Sequence, residues 1–161
     1  LRVRIPGWAQ NRPVPGDLYR YENGTSEKIS LKINGQETPL RLENGFAVLN
    51  RTWKRGDVVE LELPMPVRRV VAHEQVAANR GRVALERGPV VYCVEGVDNG
   101  GTVSQVAVSE KTSFQPVAAP DFVATAMLLK ARDGERTFTA IPYHLWSHRG
   151  PGEMAVWLPK K

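Results

Sequence analysis

Alternation of apolar and polar residues along short segments constrains the fold of this 161-residue chain more than any other feature. Leu1, Val3 and Ile5 are apolar, and the residues between them are arginines. Residues 29–33 and 59–63 repeat this period of two. Successive side chains of a β-strand point to opposite faces, so this period is typical of a strand with one buried face. The pattern therefore predicts antiparallel β-sheet.

Turn residues separate the alternating segments and support the same interpretation. Asn34-Gly35 and Asn44-Gly45 are pairs that adopt the positive φ angles of tight hairpin turns. Residues 124–131 have the composition of a helix but are too few for a stable one, so we interpret 123–131 and 136–141 as a hairpin. Further strands are predicted at 46–49, 67–72, 82–85, 90–95, 103–108 and 154–158.

Some ten short strands without a long helix predict an all-β fold built as an antiparallel β-sandwich. Pro64-Met65-Pro66 interrupts the strands, because proline lacks the N–H that a central strand donates. We therefore predict later strands of a first β-sandwich in residues 1–65 and a C-terminal β-sandwich in residues 66–161. A unit as small as the first buries little surface, so we expect it to be incomplete, with its first strands preceding Leu1.

Charge and hydropathy argue against two classes of partner. The net charge is +5, but the excess is spread thinly over both halves and forms no basic run, so we expect no nucleic-acid partner. No segment approaches the ~18 apolar residues of a membrane helix, so we expect no membrane partner. The single cysteine, Cys93, lies in an apolar strand pattern and is interpreted as a small buried residue.

One segment carries side chains suited to binding. Residues 143–149 follow a predicted strand and concentrate aromatic and cationic groups, so the candidate carbohydrate or interface residues are Tyr143, His144, Trp146 and Arg149. An exposed aromatic side chain beside polar groups can stack on a sugar ring or fill a protein interface. The alternative is a loop that packs its own tryptophan on the sandwich. No metal site is predicted, because His144 and His148 lie beside helix-breaking prolines and glycine.

Several motifs occur in the order found in one enzyme family. Residues 1–9, Leu-Arg-Val-Arg-Ile-Pro-Gly-Trp-Ala, resemble the "LRIPGWA" signature of glycoside hydrolase family 127, the β-L-arabinofuranosidase-like enzymes. Further blocks follow at 33–35, 45–46, 51–57, 63–65, 83–93, 140–150 and 154–158. The resemblance covers nearly the whole chain, and its ordered blocks are far more specific than any one motif.

The resemblance implies that this chain is the C-terminal, non-catalytic β-sandwich portion of a retaining glycoside hydrolase. In that family an N-terminal (α/α)6 barrel carries a cysteine nucleophile in a Cys-Cys pair near zinc, with a glutamate nearby. This chain has no Cys-Cys pair, so we predict no catalytic residue, no cofactor and no activity for it alone; zinc would belong to the catalytic domain. The implied substrates are arabinofuranosides or related plant-glycan sugars.

The implied partners are the missing N-terminal catalytic barrel and, further, a second copy of the chain in a homodimer or a carbohydrate. The resemblance implies a bacterial enzyme, and the sequence does not decide between cytoplasm and periplasm. We expect a structural role in packing on the barrel or in dimerisation. The alternative function is an autonomous carbohydrate-binding module that uses Tyr143, Trp146 and Arg149 as a sugar platform.

Overall fold

The computed structural model describes residues 1–161 and consists of fifteen strands, four 3₁₀ turns and no α-helix. The strands are β1 (Arg2–Arg4), β2 (Tyr19–Tyr21), β3 (Ser30–Ile33), β4 (Gln36–Glu37), β5 (Leu42–Glu43), β6 (Phe46–Val48), β7 (Val59–Glu62), β8 (Val67–Ala72), β9 (Arg82–Arg87), β10 (Val90–Glu95), β11 (Ser113–Ala118), β12 (Met127–Asp133), β13 (Arg136–Pro142), β14 (Met154–Ala155) and β15 (Leu158–Pro159). The 3₁₀ turns span Gly7–Gln10, Ala77–Asn79, Gly96–Asp98 and Tyr143–Leu145. All strand pairs are antiparallel, which confirms the predicted all-β class.

Two small sheets form the first part of the chain, with strand orders β1-β6-β5 and β4-β3-β7. They share one core, whose buried members are Ile5, Leu31, Ile33, Ala47 and Leu49. The Asn-Gly pairs make two-residue hairpins as predicted: Asn34 and Gly35 have φ of 51° and 77°, and Ile33 pairs with Gln36. Positive φ at both turn positions matches the twist of the flanking strands.

The remaining strands form one large sheet in the order β11-β12-β13-β10-β9-β8-β2, with β14 beside β10 and β15 beside β9. This sheet curls into a half-barrel. Its largest core cluster includes Leu85, Val94 and Leu129, and a second cluster holds Cys93 and Ile141. Because alternate residues of β10 enter different clusters, both faces of this strand are buried, and this explains its continuous apolar sequence.

A strand from the first part of the chain belongs to the large sheet. β2 pairs with β8, so that Tyr21 lies opposite Val70. The guanidinium of Arg68 lies 3.5 Å from the ring centre of Tyr21 and donates to the backbone oxygen of Asn23 at 2.7 Å. The Tyr21 hydroxyl donates to Glu86 at 3.0 Å. Residues 1–65 and 66–161 therefore share a ladder and a polar cluster, and their division into two domains stays a prediction.

Glu22, directly after β2, makes this junction sensitive to pH. It accepts a hydrogen bond from Lys160 and pairs with Arg69 at 3.7 Å. The hydrogen bond from Lys160, aided by the charges of Lys160 and Arg69, lowers the pKa of Glu22 below its ordinary 4.5. A lowered folded-state pKa adds stability above the unfolded-state pKa, and this stability is lost as pH falls through the folded-state pKa.

We therefore expect Glu22→Gln to unfold more easily than the parent chain at pH 7, by about 0.5–1 kcal/mol. The difference in unfolding free energy between the two proteins should shrink as pH falls from about 5 towards about 2, because Glu22 is then protonated in both the folded and the unfolded state. Urea unfolding followed across this range measures it. A difference that does not change with pH would show that the ion pairs of Glu22 contribute nothing to stability.

The structure corrects several predicted strands. Residues 103–108 form turns instead of a strand: the Val103 N–H donates to the Glu153 carboxylate, and Val106 and Val108 still enter the core. Residues 154–158 divide into β14 and the start of β15. The predicted hairpin exists, but its first strand runs from Met127 to Asp133. β2 and β11 were not predicted; Pro116 is accommodated because β11 is an edge strand.

Candidate functional site

The segment of residues 143–149 begins where β13 ends. Pro142 closes β13, and the 3₁₀ turn Tyr143–Leu145 follows, with Leu145 buried beside Cys93 and Ile141. This anchor turns its neighbours outward: Tyr143 is 44% exposed and Trp146 is 38% exposed. Two aromatic side chains are therefore available at the surface, as the binding hypothesis requires.

Arg149 is held in a compact ionic cluster. Its Nη1 donates to Asp98 Oδ1 at 2.7 Å, and its Nη2 lies 2.5 Å from both Asp98 Oδ2 and Glu95 Oε2. The same guanidinium stacks over the ring of Phe122 at 4.6 Å. The hydrogen bonds that Arg149 donates to Asp98, and to a lesser extent to Glu95, raise the pKa of Arg149 above its ordinary value against the opposing effect of burial. This arginine is therefore committed to neighbours within the chain.

Glu95 joins the segment to the large sheet. It is the last residue of β10 and only 6% exposed, and its second oxygen accepts the Ser147 N–H at 2.8 Å. Asn99 fixes the turn that carries Asp98, because its side chain bonds both the N–H and the C=O of Thr139. A buried carboxylate is stable only when paired in this way. The cluster therefore fastens residues 147–149 to the ends of β10 and β13.

The structure gives the four candidate residues different surroundings. Arg149 is engaged by two carboxylates and an aromatic ring, so most of its N–H groups already have partners within the chain. His144 lines a separate cavity with Met65 and Arg87. Tyr143 and Trp146 remain as exposed aromatic surface. Arg149 thus belongs to an ionic cluster and His144 to a cavity, whereas Tyr143 and Trp146 are exposed aromatic side chains.

The cavity beside His144 has a volume of about 290 Å³. Seven of its eleven lining residues are hydrophobic, and they include Tyr92, Leu145 and Met65 from the connection between β7 and β8. Arg87, at the end of β9, supplies the cation of this cavity. Its Nε is buried and has no hydrogen-bond partner.

No group of three or more His, Cys, Asp or Glu side chains is placed to hold a metal ion. None of the helical segments is long and apolar enough to cross a membrane.

The chain matches two neighbouring domain models of one family. Residues 1–65 match the model described as "Beta-L-arabinofuranosidase, GH127 middle domain", and residues 67–159 match "Glycoside hydrolase family 127 C-terminal domain". The chain belongs to glycoside hydrolase family 127. The boundary between the two models falls at Pro66, within the Pro64-Met65-Pro66 interruption.

Relatives of known name or structure agree. A non-reducing end β-L-arabinofuranosidase of Bifidobacterium longum subsp. longum is 31% identical over 96% of this chain and 25% of that protein. A solved GH127 β-arabinofuranosidase is 35% identical, with a TM-score of 0.91 over 99% of this chain and 27% of its own. A solved GH127 β-L-arabinofuranosidase of Geobacillus stearothermophilus T6 is 34% identical, with a TM-score of 0.82. The match covers 100% of this chain and 26% of that one. The chain therefore spans about a quarter of these relatives.

Cys93, the cysteine of this chain, lies in β10 and packs in the second core cluster. Its side chain is 2% exposed, and burial followed by the charges of Glu95 and Asp98 raises the pKa of its thiol to about 12. A thiol with so high a pKa is almost wholly protonated near neutral pH and is a poor nucleophile. Cys93 is therefore a packing residue in this GH127 chain.

We expect Cys93 to react with 5,5′-dithiobis(2-nitrobenzoate) at pH 8 only when the chain unfolds. The folded chain should release almost no chromophore, and the same chain in guanidinium should release one equivalent, since Cys93 is its only cysteine. The labelling rate should fall by at least about a hundredfold on folding. Rapid labelling of the folded chain would contradict this placement.

Sequence reasoning missed Arg87, Glu95 and Asp98. In the sequence Arg87 is simply the residue before the Gly88-Pro89 turn. Glu95 and Asp98 lie at a strand end and in a turn, where acids usually face solvent. Their roles depend on partners from distant positions, because Arg149 lies more than fifty residues from Glu95. A continuous apolar strand ending in a glutamate was the one local signal that could have indicated a buried carboxylate.

Proposed function

We propose that these residues are the non-catalytic middle and C-terminal region of an enzyme that hydrolyses β-L-arabinofuranosides. The observation that carries this proposal is the match to the middle and C-terminal GH127 models alone, over about a quarter of relatives with arabinofuranosidase names. The region acts as a scaffold that packs on the catalytic portion. Retaining hydrolysis through a covalent intermediate would take place on residues outside these 161.

The roles of the buried and half-buried acids support this proposal. Hydrolysis of a glycosidic bond, whether by a pair of carboxyl groups or by the cysteine nucleophile and glutamate that the resemblance implies, requires a carboxyl group that is free to act on the substrate. Here Glu95 and Asp98 are bound by Arg149, Glu86 accepts from Tyr21, and Glu22 is bound by Lys160 and Arg69. Each acid is occupied by a partner from the chain itself, and this is typical of a structural role.

Exposed apolar side chains also favour a scaffold. Large hydrophobic residues exposed in the first unit are Leu1, Val14, Leu18, Leu42, Trp53 and Val58. Exposed apolar side chains can pack against a second protein surface, and the proposed scaffold would use some of these residues in that way. Contact with the catalytic portion would cover some of these side chains. A second copy of the chain in a homodimer would be another way to cover them.

A sugar-binding module is the second candidate, and the exposure of Tyr143 and Trp146 is the observation that favours it. Arabinose-containing oligosaccharides can be titrated into the chain while tryptophan fluorescence is recorded, with Trp146→Ala as the matched variant. The scaffold proposal predicts no saturable change up to about 10 mM sugar for either protein, because a lone pair of aromatic side chains gives little affinity. A saturable change that Trp146→Ala abolishes would replace the scaffold with a binding module.

A further inference from the structure

Arg87 differs from three other arginines of the chain, whose guanidinium groups all have partners. Arg68 donates to Asn11 and Asn23, Arg69 pairs with Glu22, and Arg149 pairs with Glu95 and Asp98. Arg87 is half-buried, makes no hydrogen bond and no ion pair, and has an Nε that is sealed from solvent. A buried N–H donor without a partner costs free energy unless something else supplies an acceptor.

The surroundings of Arg87 form a ready-made pocket. Met65 packs directly on Gly88. Any larger residue at position 88 would place its Cβ only 2.4 Å from the Cε of Met65, so this contact requires glycine. The close contact fixes one wall of the 290 Å³ cavity, and Tyr92, whose hydroxyl already donates to Met127, forms another. The cavity is therefore mostly apolar and preformed, with one unsatisfied guanidinium N–H from Arg87.

The rim of the cavity has the residue types of a protein interface. Val123 lines the cavity and is exposed, and the exposed Tyr143 lies between the cavity-lining residues Pro142 and His144. Protein interfaces are enriched in Tyr, Met and Arg, and their strongest contacts are desolvated pockets surrounded by apolar contacts. A free sugar, which is neutral and polar, fits neither the charge nor the apolar walls.

We propose that this cavity is the docking site for an Asp or Glu side chain set among apolar residues, carried by polypeptide of the same enzyme outside residues 1–161. Charge complementarity supports this occupant, because a carboxylate would satisfy Arg87 and the apolar neighbours would cover Val123 and Tyr143. The relatives are about four times as long as this chain, and in the proposed enzyme the catalytic portion would supply such polypeptide. This inference rests on the scaffold function proposed above.

Photo-cross-linking in the complete enzyme tests the docking site. p-Benzoylphenylalanine is incorporated in place of Tyr143 and, as a control, in place of the exposed Trp53 of the first unit, whose cross-linked products should not depend on Arg87. Mass spectrometry should find products between position 143 and an Asp- or Glu-containing segment outside residues 1–161. Adding Arg87→Met should lower the yield of that product roughly tenfold or more, because the acid would then be buried without its partner. The exposed, unpaired Arg55→Met is the matched control and should not change it.

A second measurement separates docking from folding. Thermal unfolding of the 161-residue chain should not be weakened by Arg87→Met, because the guanidinium has no partner within the chain to lose. A lowered midpoint would overturn the proposal by giving Arg87 a role in the fold. Products only within residues 1–161, or only with a second copy in isotope-mixed samples, would also overturn it. Either failure would leave the scaffold function standing, since hydrolysis by the isolated chain tests that function separately.

Discussion

Arg149→Met is expected to lower the free energy of unfolding by about 3 kcal/mol, one of the two largest effects among single substitutions in this chain. The substitution keeps most of the side-chain volume over Phe122 but removes the donors that neutralise Glu95 and Asp98. Glu95 is the residue that makes the change costly, because its carboxylate stays buried at the end of β10 with only the Ser147 N–H as a partner. Equilibrium urea unfolding at pH 7 measures the loss.

Two variants control this prediction. Arg55→Met also removes one positive charge, but Arg55 is exposed and unpaired, so it should change stability by no more than about 0.5 kcal/mol. Adding Glu95→Gln to Arg149→Met should recover part of the loss, because the buried charge is then gone. If Arg149→Met costs less than about 1 kcal/mol, the cluster is a surface ion pair and does not anchor residues 147–149.

Leu129→Ala is expected to destabilise the chain by about 2–5 kcal/mol, because it opens a cavity in the largest core. Leu129 lies in the middle of β12, is fully buried and packs in one cluster with residues of β9 and β10. Leu31→Ala makes the matching change in the core of the small sheets, where Leu31 is equally inaccessible. Leu42→Ala is the control, because Leu42 is exposed in β5 and should cost far less.

These two leucines also test whether the GH127 middle and C-terminal regions unfold together. The β2–β8 ladder, Arg68 and the contacts of Glu22 with Arg69 and Lys160 connect them, so each variant should shift one common transition. Calorimetry of the two variants distinguishes the outcomes. If Leu31→Ala moves only a separate early transition and leaves a later one unchanged, the two regions are independent domains.

The sequence predicted the parts of the fold that depend on local chemistry. The Asn-Gly pairs fixed two hairpins because only such residues accept positive φ at both turn positions. The alternation in 29–33 and 59–63 predicted β3 and β7 because their side chains face one core and solvent. The strand predicted at 103–108 was wrong, because the apolar residues there enter the core from turns. The Val103 N–H donates to the Glu153 carboxylate and the Val108 N–H donates to the Pro159 carbonyl.

The site was less predictable, for a physical reason. Aromatic and cationic composition indicated residues 143–149, but composition does not reveal whether a cation is already paired. Arg149 is bound by acids and Arg87 is not, although both read from the sequence as arginines beside a turn. Such a difference arises from the tertiary arrangement of residues far apart in the chain, and so it becomes visible only in the structure.

Hydrolysis of a chromogenic β-L-arabinofuranoside by the purified 161-residue chain tests the central claim most directly. We predict no turnover above the substrate blank at any enzyme concentration, because the Cys93 thiol of this GH127 region is buried and Glu86, Glu95 and Asp98 are held by partners in the same fold. Circular dichroism and the protected Cys93 thiol would confirm that the assayed chain is folded. Turnover that scales with the concentration of the folded chain would contradict the account and make this region catalytic.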